Sequence, residues 1–202
     1  MALINTKDKE IVSKIVYYGP GFSGKTTNLI YIHNSLSDKV QPELVSIKTE
    51  GDRTIFFDFL PLDMGMTNDY RIRIQLYTVP GQVKYTSTRK VLLQGVDGLV
   101  FVADSQASQR NSNVESLFEL QENLAEKHHD IADIPLVMQY NKRDLADQGI
   151  KIIPVEIMDT DLNAHIGAPY FESIATTGLG VLETLKEITR LTVSGLMKKI
   201  QV

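Results

Sequence analysis

Short runs of β-branched and aromatic residues alternate along the chain with longer stretches whose apolar residues recur every three or four positions. "IVSKIVYYG" (11–19), "GLVFVAD" (98–104) and "PLVMQYN" (135–141) are apolar with few interruptions, which predicts strands buried on both faces of a sheet. "RIRIQLYT" (71–78) is different: Ile72, Ile74 and Leu76 alternate with Arg71, Arg73 and Gln75, the period of a strand with one polar face. Together with "TIFFDFLP" (54–61) it flanks the turn-rich "LDMGMTND", so the two runs are expected to form a hairpin. "PYFESI" (169–174) is a sixth strand. Between these runs, Leu29, Ile32, His33 and Leu36 fall at the i, i+3, i+4, i+7 spacing of a helix. Ser112 with Glu115 matches a capping box that opens a helix through Val114, Leu117, Phe118 and Leu124. After Gly178 and Gly180, Val181, Leu185, Ile188 and Leu191 mark a final helix.

Alternating strands and helices predict an α/β fold: a mostly parallel sheet of about six strands, helices on both faces and one antiparallel edge hairpin. With 202 residues and no linker-like tract, residues 1–202 are expected to form one domain. A net charge of −4 gives no reason to expect nucleic acid, whose phosphates call for clustered Lys and Arg. The absence of Cys excludes disulfides, thiolate metal sites and a prenylated tail. "MALINTKDKE" lacks the apolar stretch of a signal peptide, Ala2 does not suit N-myristoylation, and "LVFVA" (99–103) is too short to span a bilayer. The expectation is a cytoplasmic protein without a lipid anchor.

Candidate chemistry gathers where ligands sit in such sheets, at the carboxyl ends of the strands. "GPGFSGKT" (19–26) matches G-x-x-x-x-G-K-S/T immediately after the first strand and at the start of a helix, the context that motif needs. Its backbone N–H groups, with the helix N-terminus, can cradle phosphates. Gly19, Gly21, Ser23, Gly24, Lys25, Thr26 and the adjoining Thr27 are therefore candidate phosphate-binding residues. Lys25 is suited to the β- and γ-phosphates, and Thr26 to magnesium. "NKRD" (141–144) follows the fifth strand. Asp144 can accept two hydrogen bonds from the N1–H and N2–H₂ edge of guanine, which adenine cannot donate, while Asn141 braces the loop and the stem of Lys142 covers the base. In "SIAT" (173–176), Ala175 can offer a backbone N–H to the guanine oxygen.

The chain at this point resembles the Ras-like small GTPases and, among them, the bacterial MglA (mutual gliding motility, cell-polarity) family. "GPGFSGKTT", "GDRTIFFDFLPL", "LYTVPGQVKY", "GVDGLVFVADSQ" and "NKRDL" carry that resemblance. It implies a GTP-binding and GTP-hydrolysing polarity switch whose GTP form recruits effectors, with Mg²⁺ as cofactor. It also implies a homodimeric Roadblock-fold partner, MglB, that accelerates hydrolysis, and recruitment of the GTP form to a cell pole.

"TVPGQ" (78–82) is the distinctive piece, because most small GTPases have Asp-x-x-Gly there and this chain has Thr78. In the general layout that Asp holds a water on magnesium. Magnesium is commonly held by few protein oxygens, so Thr26 and Thr54 with the phosphates are the expected ligands. Asp58 is one candidate for the missing carboxylate and Asp52 the other. Gln82, after Gly81, fits the water-orienting glutamine of phosphoryl transfer, and Arg53 fits an arginine finger supplied in cis. Gly21 is expected to stay small because a side chain there would crowd Gln82 and Arg53. Two other classes compete. Thr78 favours a nucleotide-dependent binding module with negligible hydrolysis, and the phosphate loop alone also fits an ATP-dependent enzyme such as a small kinase. The "HHD" run (128–130) reads as a solvated helix end, since neighbours on a helix diverge by about 100°.

Overall fold

In β6 (Gly98–Asp104) and β7 (Leu136–Asn141) every residue is buried, because helices cover both faces of these strands. A computed structural model of the chain describes residues 3–36, 45–48, 56–67, 69–80 and 86–200. Ahead of β6 come β1 (Leu3–Asn5), β2 (Glu10–Tyr18), β3 (Val45–Lys48), β4 (Phe56–Thr67) and β5 (Tyr70–Thr78), and the last strand is β8 (Tyr170–Ser173). The helices are α1 (Lys25–Ser35), α2 (Thr86–Leu92), α3 (Arg110–Ala125), α4 (Val155–Leu162) and α5 (Val181–Ile200).

Among the described residues the strands form one sheet in the order β3-β4-β5-β2-β6-β7-β8, with β1 added to β2. The run β5-β2-β6-β7-β8 is parallel; β3-β4, β4-β5 and β1-β2 are antiparallel. The six expected strands are all present, and β1 and β3 are additions. The hairpin is also present, but its strands run further than the turn residues suggested. β4 continues through "LDMGMT", and a register shift between Asp63 and Met66 absorbs Gly65, whose φ is 80°.

The alternation along β2 sorts the core into two layers. Ile11, Ile15 and Tyr17 pack with Leu29 and Ile32 of α1 and with Val181, Leu185 and Ile188 of α5. Val16 and Tyr18 point the other way, to Leu117, Leu120 and Leu124 of α3 and Met158 and Leu162 of α4. The α1 and α5 faces match the sequence pattern. That of α3 needs correction. The helix starts at Arg110, after a 3₁₀ turn over Ala107–Gln109, so Ser112 lies inside the first turn and the cap residue Gln109 makes no side-chain cap bond. Val114 and Phe118 are exposed; the buried positions include Asn113, Leu117, Leu120 and Leu124. Residues 128–130 are exposed beyond the end of α3, and no cluster of metal-ligating side chains occurs among the described residues. No described helix is long and apolar enough to cross a membrane.

Candidate nucleotide-binding site

The loop from Gly19 to Gly24 joins β2 to α1 at the carboxyl edge of the sheet. Gly19, Phe22 and Gly24 all have positive φ, at 138°, 62° and 102°. Left-handed residues interspersed in a loop gather successive N–H groups into an anion-binding concavity. Phe22 adopts this conformation and is 84% exposed. Gly24 is held by crowding as well as by its φ, since a Cβ there would lie 2.2 Å from Nδ2 of Asn141. At Gly19 a Cβ would lie 2.2 Å from the carbonyl oxygen of Val102. The phosphate loop is thus seated directly on β6 and β7.

Lys25 is buried, and its ammonium donates to the carbonyls of Gly19 (2.9 Å) and Pro20 (2.6 Å). Burial, reinforced by the positive charge of Arg89, lowers its pKa to about 7, with Asp58 opposing the shift. Its side chain lies back along its own loop.

Thr26, by contrast, is exposed and turned towards the hairpin. Its hydroxyl donates to Oδ2 of Asp58 at 2.5 Å. The hydroxyl of Thr78 donates to the same oxygen at 2.9 Å and accepts from the Asp58 backbone N–H at 3.0 Å. Asp58 is fully buried and Thr78 nearly so. The hairpin register explains the meeting: pairing of Phe59 with Tyr77 brings Asp58 level with Thr78. Two hydroxyls and one carboxylate, all hard oxygen donors, therefore converge where α1 begins. That donor set fits magnesium, which prefers oxygen and keeps several waters. A Thr26 hydroxyl that gives its proton to Asp58 keeps lone pairs for a metal. Of the two carboxylates considered for this role, Asp58 stands at the site. Asp52, Arg53, Thr54, Gly81 and Gln82 lie outside the described residues.

The guanine side is built around Asn141, which is buried at the end of β7. Its Nδ2 donates to the Ser23 carbonyl (2.8 Å), and its Oδ1 accepts from the Ala175 N–H (2.9 Å) and the Ser173 hydroxyl (3.1 Å). Asn141 therefore braces the phosphate loop against the "SIAT" loop. The Ala175 N–H, expected to face the base, is engaged with this asparagine. Lys142 takes a left-handed conformation at φ 69°. Its ammonium meets Oδ2 of Asp104 at 2.6 Å, and Asp104 is itself 1% exposed. Asp144 lies in a 3₁₀ turn over Arg143–Ala146, half-buried, and its carboxylate has no hydrogen-bond partner among the described residues. Gly21 and Thr27 lie in or beside the phosphate loop, partly exposed.

Sequence reasoning missed three sets of partners. Asp104, the last residue of an apolar strand, orients Lys142; a lone carboxylate at that strand end was the available signal. Arg89 of α2, 2% exposed, donates to the Pro80 carbonyl (3.0 Å) and through Nε to Glu119 of α3 (3.0 Å), so it holds the backbone just before Gly81. Asn28, Gln139 and Thr184 form a buried polar chain beneath the loops. Gln139, the one amide within "PLVMQYN" ahead of its terminal Asn, was the signal there.

Comparisons with known proteins identify the family of the chain. The model of the Ras family matches residues 14–194. The chain is similar to the mutual gliding-motility protein MglA of Myxococcus xanthus, at 50% identity over 98% of this chain and 99% of that protein. It is also similar to the Ras-related protein Rab-27B of Rattus norvegicus, at 26% identity over 96% of this chain and 87% of that protein. A family match over most of the chain, joined to identity at half the positions of a full-length relative, settles the lineage: the chain belongs to the Ras family, as an MglA-type small GTPase.

Proposed function

We propose that the chain is a GTP-hydrolysing molecular switch that controls cell polarity or motility. The triangle of Thr26, Asp58 and Thr78 carries this reading. A neutral residue at position 78 would otherwise argue for a binding module without turnover. The structure returns a carboxylate to the Thr26 hydroxyl from the neighbouring strand.

In this reading the loop N–H groups and the Lys25 ammonium bind the β- and γ-phosphates. Lys25 exchanges its two carbonyl partners for phosphate oxygens. Thr26 and Thr54 would hold magnesium, which would supply positive charge to neutralise the phosphate oxygens. Asp58 accepts from the Thr26 hydroxyl and orients it, the carboxylate role that position 78 cannot fill. Asp144 reads the guanine edge, and the stem of Lys142 lies against the base. Gln82 orients the attacking water and Arg53 stabilises the charge that develops on the transferred phosphoryl group. Hydrolysis is slow until a Roadblock-fold, MglB-like homodimer accelerates it. The protein works in the cytoplasm, and its GTP form gathers at a cell pole through effectors.

The test is single-turnover GTP hydrolysis, with and without that homodimer, for wild type, Gln82→Ala and Arg53→Ala. Wild type should turn over, faster with the homodimer, and both variants should be slowed by at least about 10³ in the presence of the activator, the lower end of an arginine-finger effect. No hydrolysis by wild type in either condition favours the binding module instead. Unimpaired variants overturn the two catalytic assignments.

A further inference from the structure

Beneath the nucleotide site, three buried side chains from three different elements are joined end to end. Asn28 of α1 donates through Nδ2 to the carbonyl of Gly24 in the phosphate loop, at 2.9 Å. Its Oδ1 accepts from Nε2 of Gln139 on β7, at 3.0 Å. The same Nε2 donates to the Thr184 hydroxyl of α5, at 3.1 Å. Thr184 in turn donates to the carbonyl of Gly180, at 2.6 Å, where the guanine loop enters α5. Asn28, Gln139 and Thr184 are all 0% exposed.

The direction of the bonds is dictated by the two ends. Both are backbone carbonyls, which can only accept. Each flanking side chain must therefore spend a donor outwards and present a lone pair inwards. The residue in the middle must donate twice, and an amide N–H₂ can do so while a carboxylate cannot. Only its Oε1, buried and without a partner among the described residues, stands outside the chain of bonds.

Gln139 and Asn141 alternate onto the same face of β7, and each spans the same gap. Asn141 ties the Ser23 carbonyl to Ala175, and two residues back Gln139 ties Gly24 to Gly180 through its neighbours. A third contact runs parallel to them. The Tyr31 ring of α1 lies so close to Gly178 that a Cβ there would be 1.8 Å from its Cζ. The half of the site that binds phosphate and the half that binds guanine are thereby joined below the ligand, without the ligand's help.

We propose that Gln139 is a positioning residue: with Asn28 and Thr184 it locks the phosphate loop to the guanine loop, and this lock sets how long bound nucleotide stays. The inference rests on the guanine-nucleotide reading of the site. In buried surroundings a broken chain leaves polar groups unpaired on both sides, so its loss is felt at both loops at once.

The test is release of a fluorescent GDP analogue from the full chain, chased with unlabelled GDP. Gln139→Glu, which cannot donate twice, and Gln139→Leu should both release nucleotide about tenfold faster or more, the effect of a buried hydrogen bond worth about 1.4 kcal/mol. Thr184→Val should match them, and the conservative Thr184→Ser should restore slow release. The double variant Gln139→Leu/Thr184→Val should be no faster than either single variant, because both break one chain. If the Gln139 variants do not fold, the Thr184 pair decides. Folded variants with a lower melting temperature but wild-type release show a merely structural role and overturn the proposal. Wild type that binds no guanine nucleotide sinks the reading of the site itself, a different failure.

Discussion

The Thr78 hydroxyl donates to the Asp58 carboxylate at 2.9 Å and accepts the Asp58 backbone N–H at 3.0 Å, so each residue fixes the other across the hairpin. Thr78 does not replace a carboxylate. It positions one that the adjacent strand supplies. Asp58→Ala, which removes the group facing Thr26, should raise the magnesium concentration needed to slow GDP release by about tenfold to a hundredfold, the usual effect of losing a residue that orients a metal ligand. Thr78→Val, which keeps the shape and removes the hydroxyl, should shift it in the same direction by less, and should lower stability by about 1–3 kcal/mol because the buried Asp58 N–H loses its partner. Titrating magnesium against release rate checks both; an unchanged requirement in Asp58→Ala would show that the metal is held without it.

Lys25 supplies a pH dependence. Its folded-state pKa is lowered from 10.5 to about 7 by burial, with Arg89 adding to the effect. Unfolding therefore takes up a proton between about pH 7 and 10.5, and the nucleotide-free protein should gain stability as pH rises through that window. Binding has the opposite sign. Phosphate beside Lys25 favours the ammonium form, so nucleotide binding above pH 7 should take up a proton and weaken as pH rises. Calorimetry of GDP binding at pH 8.5, in two buffers of different ionisation enthalpy, should show uptake approaching one proton. Zero uptake would mean that Lys25 is already charged in the free protein.

Asp104 is the counterion of Lys142 at 2.6 Å, and is nearly inaccessible to solvent. Asp104→Asn should free the lysine from that carboxylate and, with Lys142 against the base as proposed, weaken GDP and GTP by the same factor, about tenfold for roughly 1–2 kcal/mol. Equal loss for the two nucleotides, insensitive to magnesium, separates this variant from Asp58→Ala. A loss confined to GTP would place Lys142 on the phosphates instead.

What could be read from the sequence depended on how local each signal was. The phosphate loop and "NKRD" are contiguous stretches, each at the end of one strand, so motif and context stood side by side. For the carboxylate facing Thr26 the sequence leaves both Asp58 and Asp52 open. Choosing needed the β4-β5 register, and β4 extends six residues beyond where its apolar run suggested. Asn113 shows the limit from the other side. Its side chain accepts from the Asp104 N–H and donates to the Asp104 carbonyl, so a polar residue occupies a buried helical position that hydropathy assigns to the surface. That pairing across nine residues accompanies the 3₁₀ turn ahead of α3, and the buried stripe includes Asn113 and Leu117 rather than Val114 and Phe118. Ala175 lies in the loop after β8, and the use of its N–H by Asn141 depends on a side chain from another strand, which no local pattern shows.

Arg89 connects the region before Gly81-Gln82 to the body of the protein. Its Nη1 donates to the Pro80 carbonyl and its Nε and Nη2 both reach Oε1 of Glu119, from a helix only seven residues long. A guanidinium can serve both partners at once because its donors are fixed in a planar fork, which a lysine ammonium lacks. Arg89→Lys therefore keeps the charge beside Glu119 and gives up the simultaneous hold on Pro80. With Gln82 two residues past that carbonyl, the variant should hydrolyse bound GTP about tenfold more slowly, a loss of about 1.4 kcal/mol in the barrier. GDP release should be little changed, since among the described residues the hydrogen bonds of the Asn141 bridge and of the chain through Gln139 do not include Arg89. Single-turnover hydrolysis and GDP release measured on the same preparation separate the two effects. If hydrolysis stays at the wild-type rate, the anchoring of Pro80 has no part in placing Gln82.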